Sequence, residues 1–345
     1  MKSSFLLNPS SNIYDAINAI QNNYQRIAII IDEKYNLLGV ITDSDLRRSL
    51  LNHVNLNSSV TQIMNKNPKY VSDLVDQNDL LSISTKYNLE SIPILKDQKF
   101  FRLFNINDKK ETLNIVENPN IKEAFIMAGG EGRRLLPLTA KLPKALIKIK
   151  GIPIIETIIL NLKKIGITKI NISVNYMAEK IVSYLGNGMK YNLSINFIHE
   201  KEKLGTCGSL SLLKDFPENI LVMNCDLITN LNFNNLFKFH IKNNNLLTIA
   251  SNKYTHEIPY GVLKIDSGYL TDIIEKPTET FFCNSGIYIF SKNVFDHIEF
   301  NKPLNMNELF LKLLRKNHKI SIFPMFESWD DIGTPENLKG IMHDN

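Results

Sequence analysis

The chain has 345 residues, 43% of them hydrophobic and 22% charged, with a formal net charge of +5. That length suggests about two domains, and the composition describes a folded globular protein and excludes a disordered or fibrous one. The lysines are spread through Asn- and Lys-rich sequence with no basic block or aromatic-basic platform, so nucleic acid is not an expected partner. Residues 1–11 hold only a short apolar patch at Phe5, Leu6 and Leu7, well below a signal h-region, and no run approaches membrane-spanning length. A cytoplasmic location with no membrane partner is the expectation.

Ser10, Ser11 and Asn12 cap a predicted helix over 13–20. A buried strand over 26–32, a turn at 33–36 and a second strand over 37–42 follow, then a helix over 43–50 with Asp43 and Asp45 in its first turn, where the helix dipole favours acids. This order, with Gly39, Thr42 and Asp45 in a Gly-x-x-Thr-x-x-Asp pattern, resembles a CBS domain. Residues 60–68 resemble the entry to a second repeat, with its helix over 80–87 and a strand over 91–95. After Phe104 that copy runs Asn105-Ile-Asn-Asp108 and departs from Gly-x-x-Thr. One such repeat cannot bury its sheet alone and needs its twin. The resemblance implies a CBS pair (Bateman module) over 1–115, regulatory or dimerising. It also implies an adenine nucleotide in the cleft, with Thr42 near phosphate and Asp45 on ribose. The alternative stays open that Asp45 is a helix-start acid and the pair a packing module. Polar residues 105–121 read as a linker, and the second module is expected over 122–345.

The apolar run 124–128 predicts a buried strand, after which Gly129, Gly130 and Gly132 open a loop whose amides can face an anion, because no Cβ blocks the approach. Arg133, Arg134 and Lys144 add fixed positive charge, which suits a polyphosphate. No Gly-Lys-Ser/Thr follows, so this is not a Walker A loop, and the dinucleotide fingerprint does not fit either. Further on, helices are predicted over 153–165, 178–185 and 206–213 and strands over 169–174, 194–198 and 219–223. The alternation argues for a Rossmann-like α/β sheet with ligands at the carboxyl ends of its strands.

Gly-Gly-Glu-Gly-Arg-Arg, Leu-Leu-Pro-Leu-Thr139 and Pro-Lys144, in one register, closely resemble the signature of the sugar-1-phosphate nucleotidyltransferases. That resemblance implies a Rossmann-like (GT-A-like) α/β domain. It implies that Ala128, Gly129, Gly130, Gly132, Arg133 and Arg134 hold an NTP, with Gly205 and Thr206 of Leu-Gly-Thr-Cys-Gly beside its base. Tyr260, Gly261, Glu275, Asn284 and Gly286 are implied at the sugar and Lys276 at its phosphate, with Arg134, Lys144 and Lys276 as the catalytic cations. Asp226 and Asp331, the latter in a Trp-x-Asp-x-Gly-Thr element, are the implied ligands of Mg²⁺; Asp330 takes that place if the register slips by one. The implied reaction is in-line attack of the sugar phosphate on the α-phosphorus with loss of pyrophosphate, which needs no general base because the nucleophile is already ionised.

The arrangement looks most like the guanylyltransferases of bacterial legionaminic acid biosynthesis, implying GTP and a glucosamine-type 1-phosphate. Mannose or heptose 1-phosphate guanylyltransferases and UTP- or dTTP-using homologues are the alternatives. A non-catalytic, nucleotide-sensing regulatory subunit is an alternative of another class, disfavoured because Lys144, Lys276, Asp226 and Asp331 are all present. A homo-oligomer is expected. Cys207, Cys225 and Cys283 lie outside any Cys-x-x-Cys spacing and are expected as buried free thiols, with no disulfide framework or zinc site.

Overall fold

Five consecutive apolar residues, Ile27–Ile31, are buried throughout as strand β2, between β1 (Leu6–Leu7, parallel) and β3 (Leu37–Thr42, antiparallel). They belong to a computed structural model that describes residues 5–21, 23, 26–75, 77–87, 89–106 and 121–343. The chain divides into two compact units, Met1–Glu117 and Asn118–Asn345. Most of the linker expected over 105–121 lies outside the described residues.

In the first unit, helix α1 (Ile13–Gln21) buries Ile13, Ala16, Ile17 and Ile20, spaced for one face, and Asn12 and Asp15 exchange hydrogen bonds at its start. Helix α2 (Asp43–Leu51) follows β3. A second sheet repeats the order with β4 (Val71–Ser72), α3 (Gln77–Tyr87), β5 (Ser91–Lys96) and β6 (Lys99–Asn105). The two halves share one apolar cluster, in which Phe100, Leu95 and Leu103 pack with Ile27, Ile29 and Val40. This is the mutual burial that the internal repeat predicts.

The described residues of the second unit form a seven-stranded sheet in the order β11-β10-β7-β12-β17-β14-β18. Its parallel half comprises β7 (Glu123–Met127), β10 (Lys169–Val174), β11 (Ser194–His199) and β12 (Asn219–Asn224). In the other half the long β17 (Thr278–Ser291) runs antiparallel to β12 and to β14 (Leu247–Glu257), and β18 (Ile320–Met325) lies parallel to β14. Side chains alternate between two cores: Ala124, Ile126, Leu221 and Met223 face one, and Phe125, Ile220 and Val222 face the other. Helices α4 (Ile154–Lys164), α5 (Ala178–Leu185) and α6 (Phe233–Lys242) add apolar faces to the first core, and α7 (Met306–Arg315) adds one to the second. A last helix, α8, spans Pro335–His343.

Three small ladders decorate this sheet: β8 (Lys148–Ile149) with β9 (Ile152–Pro153), β13 (Leu227–Thr229) with β19 (Trp329–Asp331), and a hairpin of β15 (Val262–Asp266) with β16 (Tyr269–Ile274).

Two expectations need correction. The helix predicted over 206–213 is a short 3₁₀ segment, Gly208–Leu212. The backbone before it is pulled away, since the Cys207 and Gly208 amides both donate to the Leu304 carbonyl at 2.9 and 3.0 Å. Cys207 and Cys225 are buried, and burial pushes each thiol up to about 12. Cys283, by contrast, is exposed, because the outer half of β17 runs beyond the core.

Candidate functional site

Strands β7 and β12 are parallel neighbours, with Met127 opposite Asn224, so the loops leaving their carboxyl ends emerge side by side. The first is the glycine loop. Ala128 is buried and donates to the Ser173 carbonyl at 2.9 Å, while the space ahead of Gly130 is open. Gly132 adopts φ +64°, and a Cβ there would come within 3.0 Å of Thr139 and 3.2 Å of Lys144. Only glycine meets both demands without strain. The Thr139 hydroxyl donates to the Gly132 carbonyl at 2.9 Å and closes the loop.

The second loop carries Asp226. Its partner arrives from far along the chain: β19 pairs with β13 so that Asp331 lies opposite Leu227, and the Ile332 amide donates to the Asp226 carbonyl at 3.0 Å. Asp331 is therefore beside Asp226, while Asp330 is exposed opposite Ile228. Trp329 holds this strand down by donating its indole N–H to the Ser285 carbonyl of β17 at 2.9 Å.

Lys144 joins the two carboxylates. Its ammonium donates to Asp226 Oδ2 and stands 3.9 Å from Asp331 Oδ1. Burial, with the neighbouring charge of Asp226, raises the Asp331 pKa against the opposing effect of Lys144 and Arg134. Arg134 is exposed, with Nη2 3.1 Å from where a Gly333 Cβ would sit. Asp226 Oδ1 is buried and has no hydrogen-bond partner among the described residues. Such an orphaned oxygen is costly unless a cation or donor completes it. Two hard carboxylates fit Mg²⁺, which is commonly held by one or two carboxylates with phosphate and water oxygens completing the shell.

The other implied residues divide into groups. Arg133 is exposed and paired at 2.5 Å with Glu131, which also binds Lys203. Gly205 has φ +75°, and the Thr206 hydroxyl accepts from the Met306 amide at 2.8 Å, which ties this loop to the start of α7. Gly286 lies against Asn224, and its amide donates to the Asn284 carboxamide at 3.0 Å. Tyr260, Gly261, Glu275 and Lys276 gather at the exposed root of the β15–β16 hairpin, where a Cβ on Gly261 would come within 3.0 Å of Glu275 Oε2. Lys276 holds φ +44°, a left-handed conformation that costs a non-glycine residue about 1 kcal/mol or more. In the first unit, Thr42 and Asp45 are engaged with each other in a capping box at the start of α2, the Thr42 hydroxyl donating to Asp45 Oδ2 at 2.7 Å.

Sequence reasoning missed Glu200. It follows β11 directly, accepts from the Leu204 amide at 3.2 Å, and has Oε1 2.9 Å from where a Gly129 Cβ would be, so it bridges the glycine loop and the Leu-Gly-Thr loop. Its pKa is raised by burial. Its place at a strand's carboxyl end was the available signal.

The sequence model of the nucleotidyl transferase family matches residues 123–344, more than half of the chain. The chain belongs to this family. A CBS domain model matches residues 1–52 of the same chain. Among its curated relatives are a mannose-1-phosphate guanyltransferase of Debaryomyces hansenii, 35% identical over 63% of this chain, and a mannose-1-phosphate guanylyltransferase catalytic subunit beta of Drosophila pseudoobscura pseudoobscura, 33% identical over 64%. The chain spans 62% and 61% of the lengths of these two relatives. Among solved structures, HddC of Yersinia pseudotuberculosis is 27% identical over 64% of this chain and 98% of that one, with a TM-score of 0.52. HddC complexed with GMP-PN matches with a TM-score of 0.50 at 25% identity, over 64% of this chain and 98% of that one.

Proposed function

We propose that this nucleotidyl transferase joins an NTP to a sugar 1-phosphate, giving an NDP-sugar and pyrophosphate. The observation that carries the reading is Lys144 set between Asp226 and Asp331 beside the glycine loop, with Asp226 Oδ1 buried and unpartnered among the described residues. Two anions must meet here, so the site has to cancel their repulsion before a bond forms. Arg134 and the loop amides bind the NTP phosphates, and Lys144 stabilises charge developing at the α-phosphate. Lys276 binds the sugar phosphate, whose oxygen attacks the α-phosphorus in line as pyrophosphate departs. Asp226 and Asp331 would hold Mg²⁺, which when bound supplies Lewis-acid polarisation of phosphoryl oxygens. Tyr260, Gly261, Glu275, Asn284 and Gly286 orient the sugar.

GTP is the proposed donor. It is favoured by the names of the relatives and by Glu200, a carboxylate able to accept from the N1–H and N2–H groups of guanine. For the acceptor, the relatives' names favour mannose 1-phosphate, whereas the CBS-plus-transferase arrangement favours a glucosamine-type 1-phosphate for legionaminic acid synthesis. Pyrophosphate release with Mg²⁺, measured over four NTPs against a panel of sugar 1-phosphates, tests all of this. The expected outcome is turnover with GTP and one of these two sugars. No turnover with any combination from folded protein refutes the enzyme and favours the regulatory subunit.

A further inference from the structure

The β15–β16 hairpin is exposed along nearly its whole length. Leu263 faces Ile273 and Ile265 faces Leu270 across the ladder; the two-residue period puts Leu263 and Ile265 on one side, and the register shift between their pairs, which leaves Thr271 unpaired, brings Leu270 to the same side as Ile273. They are 55%, 54%, 66% and 56% exposed respectively, and Tyr269 at the tip is 78% exposed. The only charged cross-strand pair, Lys264 with Asp272, belongs to the opposite side. The four side chains expose on the order of 400 Å², as large an apolar patch as a typical monomer carries and about half of the roughly 800 Å² one partner gives to a standard interface. A two-stranded hairpin is marginal in water unless its apolar face packs on something.

We propose that this face is a dimerisation surface, covered by the same hairpin of a second copy of the chain. Charge excludes an anionic membrane or nucleic acid as the cover, because residues 254–281 carry five acids against two lysines. An uncharged quartet laid on itself across a two-fold axis meets no like charge, and that is what an isologous contact requires. Function points the same way. Tyr260 and Gly261 enter this hairpin and Glu275 and Lys276 leave it, so its root is the sugar-phosphate subsite of the reading above, on which this one argument rests. Every molecule then needs the hairpin held, and another copy is the partner that is always present in equal amount.

Sedimentation velocity of the full chain across a wide concentration range tests the proposal without any use of activity, so it stands or falls separately from the transferase reading. The wild type should dimerise reversibly, and Ile265→Lys and Leu270→Lys, each counted twice in a symmetric contact, should weaken dimerisation by ~100-fold or more while leaving the melting temperature of the monomer unchanged. Because a variant may misfold, amide hydrogen exchange on the wild type provides the second measurement, and protection over residues 262–274 should rise with protein concentration. A wild-type monomer at all concentrations overturns the proposal. So does a dimer indifferent to both substitutions, or hairpin exchange independent of concentration.

Discussion

Replacing Asp331 by Asn should separate activity from stability. In the folded chain burial and the charge of Asp226 disfavour the Asp331 carboxylate, and Lys144, already bonded to Asp226, stands 3.9 Å away and offsets this only in part. A carboxylate whose pKa is raised on folding weakens the fold at neutral pH. Asparagine keeps the shape and removes the repulsion, so the melting temperature without metal should hold or rise. Catalysis should fall by about 10²-fold or more in kcat, close to 3 kcal/mol, the usual size of one lost group that stabilises transition-state charge. Pyrophosphate release gives kcat, Mg²⁺ titration gives the metal requirement, and thermal melts give stability. Asp330→Asn, altered at an exposed neighbour, should stay within about threefold of wild type because surface changes away from a site are mild. The reasoning is refuted if Asp331→Asn keeps near-normal kcat, if Asp330→Asn is the inactive one, or if Asp331→Asn melts well below wild type.

Three further outcomes are expected. His240 is buried against Thr248, Asn219 and Ser291, and burial lowers its pKa from 6.5 to about 4. The unfolded chain therefore takes up the proton first as pH falls. Stability is complete above pH 6.5 and is lost progressively towards pH 4, by about 3 kcal/mol in all; denaturant titrations should show that slope shrink in His240→Asn. Thr206→Val, which removes the hydroxyl that accepts from Met306, should raise the KM for NTP several-fold with little change in kcat, and Thr206→Ser should restore it. Equal losses in kcat and in both KM values would mean a general loss of fold instead. Calorimetry of the full chain with AMP, ADP and ATP should detect at most one adenine nucleotide per chain at Thr42 and Asp45, since the second repeat lacks the counterpart. Binding unchanged in Asp45→Ala would remove that site.

The parallel half of the sheet was legible because its strands are continuous apolar runs that alternate with helix-period segments, as buried βα units must. The glycine loop, Lys144 and Asp226 were legible for a different reason: their chemistry demands particular residue types at fixed local spacing. What could not be read is non-local. The resemblance implied Asp331 over Asp330, but the pairing of β19 with β13 that sets Asp331 beside Asp226 is invisible in local spacing, and a one-residue slip would exchange the two. The 3₁₀ segment at Gly208–Leu212 replaces a predicted helix because Leu304, far away in sequence, competes for its first amides. Glu200 carries no local motif, and its role is set by Gly129, far away in sequence, which packs against it. Cys283 was expected as a buried thiol because it lies outside any Cys-x-x-Cys spacing, yet it is exposed where β17 outruns the sheet's interior.

The β13–β19 ladder also bears on how the protein matures. Asp226 and Asp331 are separated by about a hundred residues, and the loop they close includes β14, β17, β18 and α7. Closing so long a loop is among the slower steps available to a chain, because its entropy must be given up before the contact contributes. A refolding chain can regain its helices, and even an ordered glycine loop, while the two carboxylates are still apart. Enzymatic turnover should thus return after the far-UV signal, in the last kinetic phase. Partly folded molecules would then be silent, and none could consume nucleotide before its two carboxylates meet.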